Sequence, residues 1–192
     1  MSVDPVHVAL QVAAALEAAG VEYLVGGSMA SSMAGEPRTT LDIDLVVRMT
    51  EAHVAMLVHE LGEEFHIDPD SLKRAARQGT SANFFHVSSA LKVDLFVLGT
   101  SPFEQEQMRR RRKVKVASDP DRFLFAYTPE DIVLQKLRWY RMGNEVSDRQ
   151  WRDVLSVLGN RELTLDRAYL SQGATALGVT DLLGRAISES DE

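Results

Sequence analysis

The chain has 192 residues, of which 45% are hydrophobic and 26% charged, with a formal net charge of −7 and no cysteine. That is ample apolar material for one domain, or for one domain with a helical extension. Disulfides, thiolate chemistry and zinc–thiolate sites are excluded, and the acidic balance means that any nucleic-acid partner must meet a local basic patch.

Pro5 to Ala19 has the apolar spacing of an amphipathic helix, closed by Gly20. Charged and polar residues interrupt this stretch and no basic leader precedes it, so it reads as a helix rather than a signal peptide. No apolar run approaches the roughly 18–20 residues of a membrane span. No membrane partner is expected, and a chain without cysteine suits the cytoplasm. "VEYLVGG" is then a short strand ending in Gly26 and Gly27. "SMASSMAG" reads as a short helix with Ser28 near its N-terminus, followed by the loop "GEPRTT" with Pro37 as breaker.

"LDIDLVV" alternates, with Leu41, Ile43 and Leu45 on one face and Asp42 and Asp44 on the other. Thr50 caps a helix running to about Gly62. "EEFHID" is a candidate strand, and Pro69 to Gln78 holds a short helix and a loop. "ANFFHVSS" and "LKVDLFVLG" read as two strands joined by a tight turn at Ser89–Ala90. In the second, Val93, Leu95 and Val97 face one way and Lys92, Asp94 and Phe96 the other. Ser101 to Arg111 is a helix, and "KVKV" and "DRFLFAY" are further extended segments. From Pro129 the texture becomes helical. Thr128 caps one helix that stops at Gly143, Ser147 caps a second that stops at Gly159, and two more complete the chain. The expected organisation is α+β over residues 1–127 and helical over 128–192, with no internal repeat or low-complexity linker.

Asp42 and Asp44 leave the same face of their strand about 6.5–7 Å apart along the backbone. Two like charges so placed repel, and a divalent cation resolves the conflict by bridging them. Mg²⁺ suits this role, because it takes a few carboxylate oxygens and keeps its other positions for water and phosphates. A third acid, Asp94, lies in a second strand with the same Leu/Val surroundings. Three carboxylates on adjacent strands about 4.8 Å apart could hold two metals roughly 3.5–4 Å apart, the arrangement used for in-line phosphoryl transfer. An antiparallel sheet with one wet face also places alternating acids in solvent. The third strand acid and the preceding glycine-serine turn favour the metal. At that turn Gly27 lets backbone approach a ligand, and the helix start at Ser28 offers free N–H groups to phosphate. The turn is neither a P-loop nor a G-x-G-x-x-G fingerprint.

Lys136 falls inside the apolar arc formed by Ile132, Val133, Leu134, Leu137, Trp139 and Tyr140. A lysine there either snorkels to the rim or meets an anion. Arg141 lies near the edge of the arc. On the next helix Asp148 and Asp153 flank the arc of Trp151, Val154, Leu155, Val157 and Leu158 on opposite sides, so one of the two faces a cleft. The bland role for Asp153 is an ion pair with Arg149 or Arg152. "RRRRKVK", from Arg109 to Lys115, is the densest charge in the chain. It is either a solvated helix end or a contact for a polyanion. His86 reads as structural, and Phe84, Phe85, Phe123 and Phe125 as core.

"VGGSMASSMAGEPRTTLDIDLVV" followed by "KVDLFV" resembles the signature of the nucleotidyltransferase superfamily. "PEDIVLQKLRWYR" with "SDRQWRDV" is similar to the third and fourth motifs of its AbiEii/AbiGii-type toxin branch. The resemblance covers about residues 21–158. It implies a nucleotidyltransferase fold, a small mixed β-sheet flanked by helices, with a C-terminal helical region. It implies an enzyme that moves a nucleoside monophosphate from an NTP to an acceptor and releases pyrophosphate. Asp42, Asp44 and Asp94 take the metal-ligand and catalytic positions, with Mg²⁺ in a two-metal site. Gly27, Ser28, Lys136 and Asp153 take nucleotide-contact positions, and Arg38, four residues before Asp42, could reach a triphosphate. Asp153 matches the fourth motif by its "WRDV" setting, although its spacing from Asp148 departs from the tighter aspartate pair of that motif. The implied acceptor is RNA, tRNA first, met by Arg109, Arg110, Arg111, Arg112 and Lys113. The implied setting is a toxin with a cognate antitoxin. A small-molecule or protein acceptor, and a non-catalytic nucleotide-binding relative, remain open alternatives.

Overall fold

The structure is a computed structural model and describes residues 4–36 and 40–190. Its elements, in order, are α1 (Pro5–Ala18), β1 (Glu22–Val25), α2 (Gly27–Ala34), β2 (Asp42–Arg48), α3 (Glu51–Leu61), β3 (Phe65–His66), α4 (Pro69–Gln78), β4 (Ser81–His86), β5 (Lys92–Val97), α5 (Pro102–Arg110), β6 (Arg112–Ser118), β7 (Asp121–Ala126), α6 (Pro129–Met142), α7 (Asp148–Leu158), α8 (Arg167–Leu177) and α9 (Thr180–Ser190). Helix starts follow local chemistry. Asp4, Asp68, Ser101 and Thr128 each precede a proline and accept a hydrogen bond from a backbone N–H of the first turn. Such a cap satisfies an otherwise orphaned donor, and proline gives up an N–H the helix does not use.

The chain divides into two compact units: Met1–Met29 with Thr39–Ala126, and Ala30–Arg38 with Tyr127–Glu192. The first holds a seven-stranded mixed sheet of order β3-β4-β5-β2-β1-β7-β6. β2 runs parallel to β5 and antiparallel to β1, while β1 runs parallel to β7. One face of the sheet's centre is apolar: Ile43, Leu45, Val47, Val93 and Leu95 are fully buried. Helix α1 packs on β1, β2 and β7, α3 packs on α1, and α4 packs on β4. Burying each of these side chains contributes about 1.5–3 kcal/mol. The opposite face of β2 and β5 carries Asp42, Asp44, Lys92 and Asp94. The expected α+β class, with helices flanking a mixed sheet and a helical C-terminal region, is what the structure has.

The second unit packs α6 against α7 and α8, and α9 against α7 and α8. Val133, Leu134, Leu137, Val154, Val157, Ala174 and Ala186 form its core. The loop after α2 is tied to α7 here, where Glu36 N–H donates to Ser156 Oγ at 2.5 Å.

Three apolar expectations are corrected. Leu41 is exposed because β2 starts at Asp42, so Leu41 lies outside the alternation that would have buried it. Phe85 is exposed because β4 buries Ala82, Phe84 and His86 on one face and turns Ser81, Asn83 and Phe85 to solvent. Phe123 is likewise exposed, with the Lys113 ammonium 4.7 Å from its ring centroid. Phe84 is core as expected, and buried His86 contacts Ser89 Oγ through Nδ1 at 2.7 Å. No helix of the described residues is long and apolar enough to cross a membrane.

Candidate functional site

In the sheet unit, strand register decides which acids meet. β2 and β5 pair so that Asp44 lies directly opposite Asp94, and Asp42 directly opposite Lys92. Period-two alternation puts all four side chains on one face. Asn83 of β4 continues the Asp44–Asp94 row on the far side of β5. The near side of the row is closed by the glycine turn, where Gly26 N–H donates to the Asp44 carbonyl at 2.9 Å.

Gly27 is held at φ +55, and a Cβ built on it would overlap the Asp44 carboxylate, 2.6 Å from Cγ. Only glycine fits there on both counts. α2 begins at Gly27, so the Asp44 carboxylate lies beside a helix N-terminus and its partial positive charge. Ser28, the second residue of that helix, is half-buried. The glycine-serine turn and the aspartate pair, separated in sequence, are thus one local structure.

The acids differ in exposure. The Asp42 side chain is 61% exposed and that of Asp94 14%. Lys92 lies among them, with Nζ 2.8 Å from Asp94 Oδ2 and 4.0 Å from Asp42 Oδ1. Its hydrogen bond to Asp94 holds the ammonium above the usual lysine range, helped by the charges of Asp94, Asp42 and Asp44 and opposed by desolvation. Lys92 was placed on this face by the sequence but given no role. The signal was the K-x-D spacing, which sets a cation beside an acid on the same strand face.

Among the described residues, no group of three or more acidic or histidine side chains is gathered closely enough to hold a metal as it stands. The donor set nevertheless suits a hard cation. It is all carboxylate oxygen, with Asp44 and Asp94 in register on neighbouring strands, and it already draws one cation, the Lys92 ammonium.

The helical unit holds the other expected residues. Lys136 on α6 is buried, and its Nζ lies 2.7 Å from Asp153 Oδ2 on α7. The partner shown for Asp153 is therefore Lys136, while Arg152 Nε donates to the Asp148 carbonyl. Asp153 is buried and Asp148 is exposed. Arg141 pairs with Asp181 and Glu145. A second buried polar cluster lies on α6, where Asp131 accepts from Thr128 Oγ1 at 2.9 Å and from Tyr169 Oη at 2.7 Å. Arg38 lies outside the described residues.

The basic run is divided by the fold. Arg109 and Arg110 end α5, and Arg112, Lys113 and Lys115 belong to β6, an edge strand. Arg109 pairs with Glu106, Arg111 with Glu22, and Lys115 with Asp121.

No family model matches the chain. No curated protein matches it. Among solved structures it is similar to an antigenic nucleotidyltransferase-like protein from Paracoccidioides brasiliensis, with 17% identity, a TM-score of 0.49, and coverage of 98% of this chain and 94% of that one. It is also similar to a CCA-adding enzyme in complex with ATP, with 15% identity, a TM-score of 0.37, and coverage of 89% and 47%. A tRNA-processing enzyme in an apo form has 15% identity, a TM-score of 0.37, and coverage of 99% and 59%. The chain thus spans about half the length of the second and three-fifths of the third.

Proposed function

We propose that the protein is a Mg²⁺-dependent nucleotidyltransferase that moves a nucleoside monophosphate from an NTP to an acceptor hydroxyl, with tRNA or another RNA as the first acceptor to test. The observation that carries this reading is the single face on which Asp44 stands opposite Asp94, Asp42 lies two residues away, and the Gly27 turn packs on the Asp44 carboxylate. The motif resemblance supports it independently. The toxin role, with a cognate antitoxin, rests on the motif resemblance alone.

In this mechanism Asp42, Asp44 and Asp94 are the residues that would hold Mg²⁺. When bound, Mg²⁺ offsets charge on the triphosphate and eases loss of the acceptor's proton. The first N–H groups of α2 and the Ser28 hydroxyl hold phosphate oxygens. Asp94 accepts the proton of the attacking hydroxyl. That oxygen bonds to the α-phosphorus as the bond to the bridging oxygen of the β-phosphate breaks, and pyrophosphate leaves with the electron pair. Lys136, whose ammonium is held by Asp153, keeps the phosphate-contact role that the motif resemblance implies. The protein's share of the work is positioning and charge.

One observation favours a second reading, a non-catalytic nucleotide-binding relative: Lys92 already neutralises part of the acidic face. Incubation with α-labelled NTPs, Mg²⁺ and total tRNA separates the two. The wild type is expected to transfer label, and Asp44→Asn to lose about 10²–10³-fold of the rate with its circular dichroism unchanged. Transfer that survives Asp44→Asn would falsify the metal assignment. Mg·NTP binding without transfer to any acceptor selects the non-catalytic relative, and absence of binding overturns both.

A further inference from the structure

Asp42, Asp44, Lys92 and Asp94 form two cross-strand pairs on one sheet face, three carboxylates and one ammonium. Lys92 is the cation of this group, in hydrogen-bond contact with Asp94 and within ion-pair reach of Asp42. Its stem emerges on the same face as the acids, and the side chain is 37% exposed, so it has room to swing out without disturbing the core beneath the sheet. Any divalent cation held by these acids must take oxygens that the ammonium now engages, or sit beside a like charge. Both outcomes set Lys92 against the metal.

We infer that Lys92 is an internal counter-ion, a positioning residue that holds the acidic face together in the metal-free protein and gives up its carboxylates when a divalent cation binds. The inference rests on the metal reading above and assigns a role to a residue that the reading leaves out. Without the ammonium, Asp94 and Asp42 would lose the cation that screens them from each other and from Asp44 at strand spacing. With it, the strand pairing is maintained before metal arrives, and metal binding is a displacement rather than the filling of an empty site. Two properties follow together: weaker metal affinity than the carboxylates alone would give, and a metal-free state that depends on Lys92.

The test uses Mn²⁺ alone as probe, with free ion followed by electron paramagnetic resonance, on the full chain. Wild type, Lys92→Met, Lys92→Gln and Asp44→Asn are compared, and each is melted in EDTA and in Mn²⁺. Lys92→Gln keeps a hydrogen-bond donor toward Asp94 and guards against a methionine variant that fails to fold. Both Lys92 variants are expected to bind Mn²⁺ about tenfold more tightly or better. They are also expected to melt lower than wild type in EDTA and to regain more than wild type on adding Mn²⁺. Asp44→Asn is expected to lose binding. Wild type and Lys92 variants binding with equal affinity, or the variants binding more weakly, would overturn the counter-ion role and leave the metal site standing. No Mn²⁺ binding by any of the four proteins would overturn the metal reading itself, and the counter-ion role with it.

Discussion

Gly27 and Gly62 both have a positive φ, +55 and +58, but a side chain at Gly27 would strike the Asp44 carboxylate whereas nothing lies within 4 Å at Gly62. This pair separates backbone strain from contact. Gly62, at φ +58 and ψ −153, sits in a region that essentially only glycine adopts, so Gly62→Ala is expected to lower stability by about 1–3 kcal/mol through backbone strain alone. Gly27→Ala meets its own positive-φ strain and must also displace Asp44, so it is expected to cost about 3 kcal/mol or more and to abolish Mn²⁺ binding. Urea denaturation and metal titration of both variants check this; equal costs with retained Mn²⁺ affinity would show that the contact is unimportant. At this scale the sequence already displayed a good deal. Alternation alone put Asp42 and Asp44 on one face, and Lys92 with Asp94 on another. It did not display that Asp44 stands opposite Asp94, because register between β2 and β5 is a tertiary property fixed by the burial of Ile43, Leu45, Val93 and Leu95. The contact of Gly27 with Asp44 was hidden for the same reason.

Between elements, α6 and α7 are joined by the buried Lys136–Asp153 pair, whose side chains are 7% and 8% exposed. Removing one partner strips a buried charge of this ion pair, which costs about 3–5 kcal/mol, whereas replacing both by apolar groups can be neutral. Lys136→Met is therefore expected to destabilise strongly and Lys136→Met/Asp153→Leu to recover most of the loss. A double variant no more stable than the single would place the effect elsewhere. If the double variant folds but binds no NTP, the Lys136–Asp153 pair has the nucleotide-contact role proposed for its members. The helical arc exposed the oddity of Lys136 in sequence; its partner was invisible, since the crossing of two helices sets it. α9 adds a pH dependence. Arg185, then Trp151, hydrogen-bond Glu189 and hold its carboxyl below the usual range, and Arg141 does the same for Asp181. Folded values below the unfolded ones mean that these contacts stabilise above the ordinary carboxylate range and are lost as pH falls through the folded values. In a Trp139→Phe background, Trp151 fluorescence should report an acid transition that Glu189→Gln makes shallower; an unchanged transition would show that Glu189 is not its source.

Over the whole molecule, a net charge of −7 opposes RNA, so binding has to be local and sensitive to salt. In sequence the basic run was either a solvated helix end or a contact for a polyanion. The fold breaks it at the junction of α5 and β6, and ion pairs to Glu106, Glu22 and Asp121 draw on three of its members. What it presents to a phosphate backbone is closer to three effective charges than to six. Each phosphate contact contributes about 0.7–0.9 to the slope of log affinity against log salt, so three give a slope of about −2 to −3. Affinity for tRNA should then fall roughly 20- to 40-fold between 50 and 200 mM salt, far less than for a protein with a full basic face. Lys113 lies over Phe123, an arrangement that leaves a cation and an aromatic ring together at the surface for a stacked base. Lys113→Glu should reduce the slope by about one contact, and Phe123→Ala should weaken binding while leaving the slope unchanged, because stacking releases no counter-ions. Filter binding across a salt series reads both quantities. A flat salt dependence, or a slope that neither substitution moves while binding persists, would mean that RNA meets the protein somewhere other than the β6–β7 edge.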